Sequence, residues 1–197
     1  MIEPEQVALV LLAAGRSRRF DGDKLSEQFL DKPLAYHVVT ALEKIAFCAR
    51  IAIVSDTRLD FGELGYRVVE NADPSLGQAR SLSVGVAAAR KAGCEYVLVA
   101  LADMPRVTAA HVCRLFDAAN GPDTIVASSD GMRPMPPALF GSGHFADLFA
   151  LDGEDDARAL IKRGRHVVTS PAELVDIDTR EDLDELRALY GLPTDGK

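Results

Sequence analysis

The chain has 197 residues, 48% hydrophobic and 26% charged, which is enough for one sizeable core, so a single domain over residues 1–197 is expected. Its formal charge of −8 argues against a general nucleic-acid binder; there is no run of about eighteen apolar residues to span a membrane, and the N-terminal MIEPEQ lacks the basic flank of a secretory signal. Three cysteines, Cys48, Cys94 and Cys113, with no CxxC, suit a reducing compartment better than a disulfide framework, so a cytoplasmic location is expected.

The first expected element is a buried strand at Val7–Leu12, an unbroken apolar run. It turns at Ala14-Gly15, and Arg16, Arg18, Arg19 and Lys24 follow within nine residues. A knot of cations after a buried strand, in an acidic chain, calls for an anion. A glycine turn also frees backbone N–H groups to point at it. A phosphate site at the carboxyl end of the first strand follows. Helix Pro33–Ala46 comes next, with Pro33 suited to a first helical turn. Strands Ile51–Val54 and Arg67–Val69 lead to helix Ala79–Ala92, which Gly93 stops. Within that helix, Ser81, Gly85 and Ala89 make a small-residue stripe suited to close helix–sheet packing.

Strand Tyr96–Leu101 precedes helix Ala109–Ala119, with Thr108 as its N-cap. Strand Thr124–Ala127 and an extended piece at Pro136–Phe140 flank Asp130–Pro137, whose three prolines read as a loop or edge insertion. Helix Asp155–Arg163, an extended Leu174–Ile177 and helix Arg180–Tyr190 complete the chain, before a frayed PTDGK tail. The alternation predicts an α/β fold: a three-layer, Rossmann-like domain on a mainly parallel, mixed sheet.

Two common phosphate motifs fail in the first loop. Gly15 and Gly22 are seven apart and Leu25 follows Lys24, so there is no P-loop, and a lone Gly15 is not a dinucleotide fingerprint. Further on, Asp103 follows the apolar strand Tyr96–Leu101, at the edge where open α/β sheets bind ligands. A carboxylate facing a polyphosphate there needs a divalent cation between them, and hard oxygen ligands suit Mg²⁺. Asp176 and Asp178 alternate along an extended segment, so both fall on one face. The competing reading for Asp178 or Thr179 is an N-cap of the last helix. The four histidines show no HxxxH or HExxH spacing, and Ser17 has no evident base.

LAAGRSRRFDGDKL resembles the LAAGxSxRMGxxKLL signature of Rossmann-like nucleotidyltransferases. Over Val7 to about Leu189 the chain is similar to the molybdenum cofactor cytidylyltransferase group. Leu12, Ala13, Ala14, Gly15, Ser17, Arg19, Lys24 and Leu25 fall on pattern positions, while Phe20 and Asp21 replace methionine and glycine. The resemblance implies that backbone at Leu12–Gly15 contacts the base, and that Arg19 and Lys24 hold the triphosphate of a nucleotide, CTP for this group. LADMP resembles LxDMP, whose Asp, here Asp103, binds Mg²⁺. DIDTREDL resembles DIDTPEDL, implying that Asp178, or secondarily Asp176, completes the metal site. NADPSLGQARSL resembles the base-recognition segment, with Gly77 and Ser81 on pattern.

Taken together, the resemblance implies transfer of CMP from CTP to a phosphorylated acceptor, molybdopterin, with Arg19, Lys24 and Asp103 as the catalytic set, and a molybdoenzyme as partner. Two features pull apart. RPMPPALF replaces the group's Gly-His-Pro and is similar to the Pro-Leu-Pro-Ala of related guanylyltransferases, whereas LAAG differs from the guanylyl group's LAGG. Asp152–Asp156 with the following Ala-Arg resembles GDxGAR, and reads equally as an acidic helix start. Transfer to a sugar phosphate or methylerythritol phosphate, and a non-catalytic cofactor carrier, remain alternatives.

Overall fold

The computed structural model describes residues 2–14, 20, 22–73, 77–151 and 154–193. Gly15, Ser17 and Arg19, together with Arg16, Arg18, Asp21 and Asp152, lie outside the described residues. The first strand, β1 (Val7–Ala13), is buried at every position. Val7, Leu9 and Leu11 join one core while Ala8, Val10 and Leu12 join another, so the strand is covered on both faces. A two-residue hairpin, β2 (Gln28–Phe29) and β3 (Lys32–Pro33), leads into α1 (Leu34–Ala41). Pro33 thus stands just before the helix and not within its first turn.

The sheet continues through β4 (Ala49–Val54), β5 (Arg67–Glu70), β6 (Tyr96–Leu101), β7 (Ile125–Ser129), β8 (Pro134–Gly141) and β9 (Arg165–Val168). Their spatial order is β5-β4-β1-β6-β8-β7-β9. β8 is antiparallel to both neighbours, and the other pairings are parallel. This is the mixed, mostly parallel Rossmann-like sheet expected from the alternation. α1 and α3 (Ala109–Asp117) pack on one face. α2 (Gly77–Lys91), α4 (Phe145–Phe149) and α5 (Glu154–Lys162) pack on the other. The last helix, α6 (Arg180–Leu189), forms a third cluster in which Leu183 and Leu186 meet Phe20, Phe29, Leu34 and Ile177.

The small-residue stripe on α2 packs closely against the sheet. A Cβ on Gly85 would collide with the Val10 side chain and touch Ile53. Gly85→Ala is therefore expected to cost about 1–3 kcal/mol by overpacking, lowering the melting midpoint by roughly 2–4 °C per kcal/mol for a chain of this size. A calorimetric melt checks this.

Three further expectations are corrected. Pro134–Pro137 belongs to β8, an internal strand, not to a loop or an edge. The prolines are tolerated because β6 pairs with β8 only as far as Val99↔Ala138, and the β7 register breaks at Ala127/Ser128, so few ladder donors are required there. Leu174–Ile177 is not a strand. Leu174 closes a 3-10 turn (Pro171–Leu174), after which the Ile177 N–H donates to the Asp103 carbonyl at 3.1 Å. Finally, Cys48 and Cys94 form a disulfide, leaving Cys113 free and exposed. The Cys48 N–H donates to the Val7 carbonyl just before β4, and Cys94 precedes Glu95, whose N–H donates to the Gln6 carbonyl just before β6, so the bridge ties β4 and β6 across β1 at the amino edge. Among the described residues, no helix is long and apolar enough to cross a membrane.

Candidate active site

Three chain segments converge at the carboxyl edge of β1 and β6. At the end of β1, the Leu12 carbonyl accepts from the Ala102 N–H at 3.1 Å, and the Ala14 carbonyl accepts from Ser55 Oγ at 3.1 Å. The side chains of Leu12, Ala13 and Ala14 are buried, so this stretch offers a ligand mainly backbone. Leu12 also borders a cavity of about 30 Å³, otherwise lined by apolar side chains such as Leu82, Leu101, Pro136 and Phe140 and by Gln78. Phe20, 0% exposed, packs in the cluster that holds Ile177 and Leu183. The Arg180 guanidinium lies 4.9 Å from its ring centre and pairs with Glu27 at 3.5 Å.

Lys24 opens a 3-10 turn (Lys24–Ser26) and is only 6% exposed. Its Nζ lies 2.6 Å from Asp103 Oδ2, donates to the Ile177 carbonyl at 2.7 Å, and reaches Asp178 Oδ1 at 3.5 Å. A buried ammonium is sustained only by such partners. Burial alone would lower its pKa, but Asp103 first, then Asp176 and Asp178, outweigh that and hold it above the usual lysine value. Lys24 is therefore charged, and among the described residues its third N–H has the long contact to Asp178.

Asp103, Asp176 and Asp178 each place a carboxylate oxygen within 4.8 Å of the others. Thr179 is the N-cap of α6: its hydroxyl accepts from the Asp182 N–H, and Asp182 in return accepts from Thr179 and Asp178 backbone N–H groups. That cap is supplied by Thr179, and Asp178 Oδ1 reaches Lys24 Nζ at 3.5 Å. Among the described residues, three carboxylates surround the Lys24 ammonium. Asp176 is exposed on its outer side. Water removed from its inner side, then the Asp103 and Asp178 charges, push its carboxyl up to about 7 against the pull of Lys24. Among the described residues, buried Asp103 Oδ1 has no hydrogen-bond partner. A proton shared from Asp176, or an added cation, answers both facts. An all-oxygen set of this kind fits a hard divalent ion.

The raised Asp176 pKa has a signed consequence. Between about 4, the ordinary aspartate value, and about 7, the folded protein holds more protons than the unfolded chain, so stability falls as pH rises through that window. Asp176→Asn is expected to flatten this dependence in metal-free buffer and to raise the melting midpoint at pH 8 relative to wild type. Melts at pH 5 and pH 8 check it, and an unchanged slope contradicts it.

Of the residues expected from sequence, the structure brings Leu12–Ala14, Lys24, Asp103, Asp176 and Asp178 to one edge. Gly77 opens α2 with φ +78, a conformation favouring glycine. Ser81 is buried and its hydroxyl accepts from Asn71 Nδ2 at 2.9 Å. That bond anchors the start of α2. The Ile177 carbonyl, which shares Lys24, had no signal in the sequence because a backbone acceptor carries none.

Residues 9–168 match the MobA-like NTP transferase domain. Purine catabolism protein PucB of Bacillus subtilis (strain 168) is 29% identical over 202 residues, spanning 90% of this chain and 94% of that protein. A probable molybdenum cofactor guanylyltransferase of Haloferax mediterranei is 29% identical over 133 residues, spanning 64% of this chain and 62% of that protein. The crystal structure of Rv0371c from Mycobacterium tuberculosis H37Rv superposes with a TM-score of 0.77 at 25% identity, covering 94% of this chain and 98% of that one. Its complex with manganese superposes with a TM-score of 0.73 at 23% identity, covering 92% and 97%.

Proposed function

Because this chain belongs to the MobA-like NTP transferase family and is a nucleotidyltransferase, we propose that it moves a nucleoside monophosphate, CMP from CTP, onto a phosphorylated acceptor of the molybdopterin type. The observation that carries the reading is the buried Lys24 ammonium set between Asp103 and Asp178 at the carboxyl edge of the sheet. An oxygen of the acceptor phosphate attacks the α-phosphorus, the α–β bridging bond breaks, and pyrophosphate leaves. Chemistry of this type asks the protein for position and charge, not for a nucleophile.

Asp103 and Asp178, with Asp176 third, would hold a divalent cation, Mg²⁺ by preference for oxygen donors; the manganese complex of Rv0371c supports a divalent ion here. When bound, that ion supplies charge neutralisation on the phosphate oxygens. Lys24 keeps two N–H bonds to Asp103 and Ile177 and turns its third toward the phosphates as a compact point charge. Backbone at Leu12–Gly15 meets the base, Arg19 forks onto the triphosphate, and Gly77 and Ser81 form the far side of the base pocket. The cytoplasm remains the proposed location, with the Cys48–Cys94 bridge as the observation that pulls against it.

A second reading uses GTP. It is favoured by the proline-rich β8 start and by the guanylyltransferase name of the Haloferax relative. The test is pyrophosphate release from each of ATP, CTP, GTP and UTP, with and without molybdopterin, a sugar phosphate or methylerythritol phosphate. Release from CTP that depends on molybdopterin and on Mg²⁺ is expected. Release from GTP establishes the second reading. Binding of molybdopterin without release from any nucleotide establishes a carrier and rejects the proposal.

A further inference from the structure

A buried polar network lies beside the carboxylate cluster and is not used by the chemistry above. His111 on α3 is 1% exposed and Ser128 on β7 is 0% exposed. Ser128 Oγ donates to the Pro137 carbonyl at 2.7 Å and lies 2.7 Å from His111 Nε2. With its only proton spent on Pro137, the Ser128 oxygen must accept from His111, so Nε2 carries the imidazole proton. On the other side, Arg114 Nη2 lies 2.9 Å from His111 Nδ1. Arginine can only donate, so Nδ1 must be the acceptor. Both neighbours thus demand the same neutral tautomer. Burial, the largest influence, holds the His111 pKa below the usual histidine value; Arg114 adds to this and Glu173 opposes it.

The network reaches two walls of the site. Arg114 also donates to the Val168 carbonyl at 3.2 Å and to Thr169 Oγ1 at 2.8 Å, while Glu173 takes the Thr108 and Thr169 hydroxyls. That holds the turn that leads to Asp176. At the opposite end, Pro136 and Pro137 fall in a gap of the sheet ladder. β7 pairs Ala127 with Ala138 and Ser128 with Met135, skipping both prolines, and β6 pairing stops at Ala138. Neither proline has an N–H to donate. A side chain, Ser128, supplies the hold that a ladder bond would give elsewhere. By register this segment runs beside Leu101, two residues before Asp103, and Pro136 shares the cavity with Leu12 and Leu101.

We propose that His111, fixed as the Nε2–H tautomer by Arg114, is a positioning residue that sets the Pro134–Pro137 wall through Ser128 and the Pro137 carbonyl, and that this wall governs acceptor binding. This assignment of the wall to the acceptor rests on the transferase reading above. The triphosphate of the donor meets the Lys24 turn, whereas its base shares with the wall the cavity bordered by Leu12 and Pro136.

The test uses the full chain with ¹⁵N-imidazole and ¹³C-methyl methionine labels, and Ser128→Ala. In wild type, ¹⁵N shifts of the Nε2–H tautomer are expected for His111. In Ser128→Ala, the Met135 methyl signal should move while that of Met104, in the main core, stays. The KM for molybdopterin should rise about tenfold, the worth of one buried hydrogen bond, with kcat unchanged and Mg²⁺–nucleotide affinity changed by less. Ser128→Cys, whose thiol is a weak donor, should recover part of the loss. An Nδ1–H tautomer, an unmoved Met135, or a parallel loss of kcat and nucleotide affinity overturns the proposal. If wild type transfers nothing to molybdopterin, the transferase reading fails, and the Met135 and ¹⁵N signals alone decide whether the relay sets the wall.

Discussion

Lys24→Ala is expected to lower turnover about 10²–10³-fold, the loss typical of removing one preorganised charge donor from a reacting centre. Two effects add in that variant. The triphosphate loses a compact cation, and Asp103 loses the clamp that ties it to the Ile177 carbonyl and Asp178. A second readout separates them. The ammonium and a divalent cation compete for the same carboxylates, so Mn²⁺ alone should bind Lys24→Ala more tightly than wild type while nucleotide binds more weakly. Lys24→Arg should not rescue turnover, because a planar guanidinium does not fit a site where lysine is only 6% exposed. Near-normal single-turnover pyrophosphate release in Lys24→Ala contradicts the assignment.

Asp103→Asn should also reduce turnover about 10²–10³-fold, reflecting several kcal/mol of lost charge stabilisation on the phosphates. The amide oxygen still accepts from Lys24, so the fold should survive and the melting midpoint should move little. Removing one like charge has a further signature. The Asp176 carboxyl, raised to about 7 in part by Asp103, should titrate closer to an ordinary aspartate. A pH titration of the Asp176 carboxyl carbon by NMR reads this directly, and Mg²⁺ dependence of turnover reads the functional half. An unchanged Mg²⁺ requirement in Asp103→Asn would count against its role.

Much of this site was legible in the chain because its chemistry is local. An apolar strand ending in cations predicts β1 and the Lys24 turn, and an apolar strand ending in Asp103 predicts β6. Small residues at one helical face predict close packing of α2 on the sheet, and the structure puts Gly85 where a Cβ would meet the Val10 side chain. What stayed hidden is non-local. β9, with three of its four residues exposed or nearly so, has too little hydrophobic pattern to announce itself. α4 is a five-residue helix, too short for a periodicity to show. The prolines of β8 read as a breaker because the sequence cannot reveal where a ladder pauses.

The same holds for charge and covalent pairing. Lys24 read as a phosphate ligand from its own loop alone; that it is buried between acids far along the chain depends on the fold. Cys48 and Cys94 have a separation of 46 residues and no motif, so only the sheet brings them together. His111 and Ser128 carry no spacing signal either. Their partnership depends on α3 lying across β7.

The most direct test of a metal–triphosphate seat at this edge is paramagnetic broadening of backbone amides by Mn²⁺ in the presence of CTP or GTP. The account predicts loss of the Asp103, Ile177 and Asp178 signals at low Mn²⁺, with Glu95 and Gly141 at the opposite edge untouched. Broadening centred on any other part of the sheet, or none at these three residues, would contradict it.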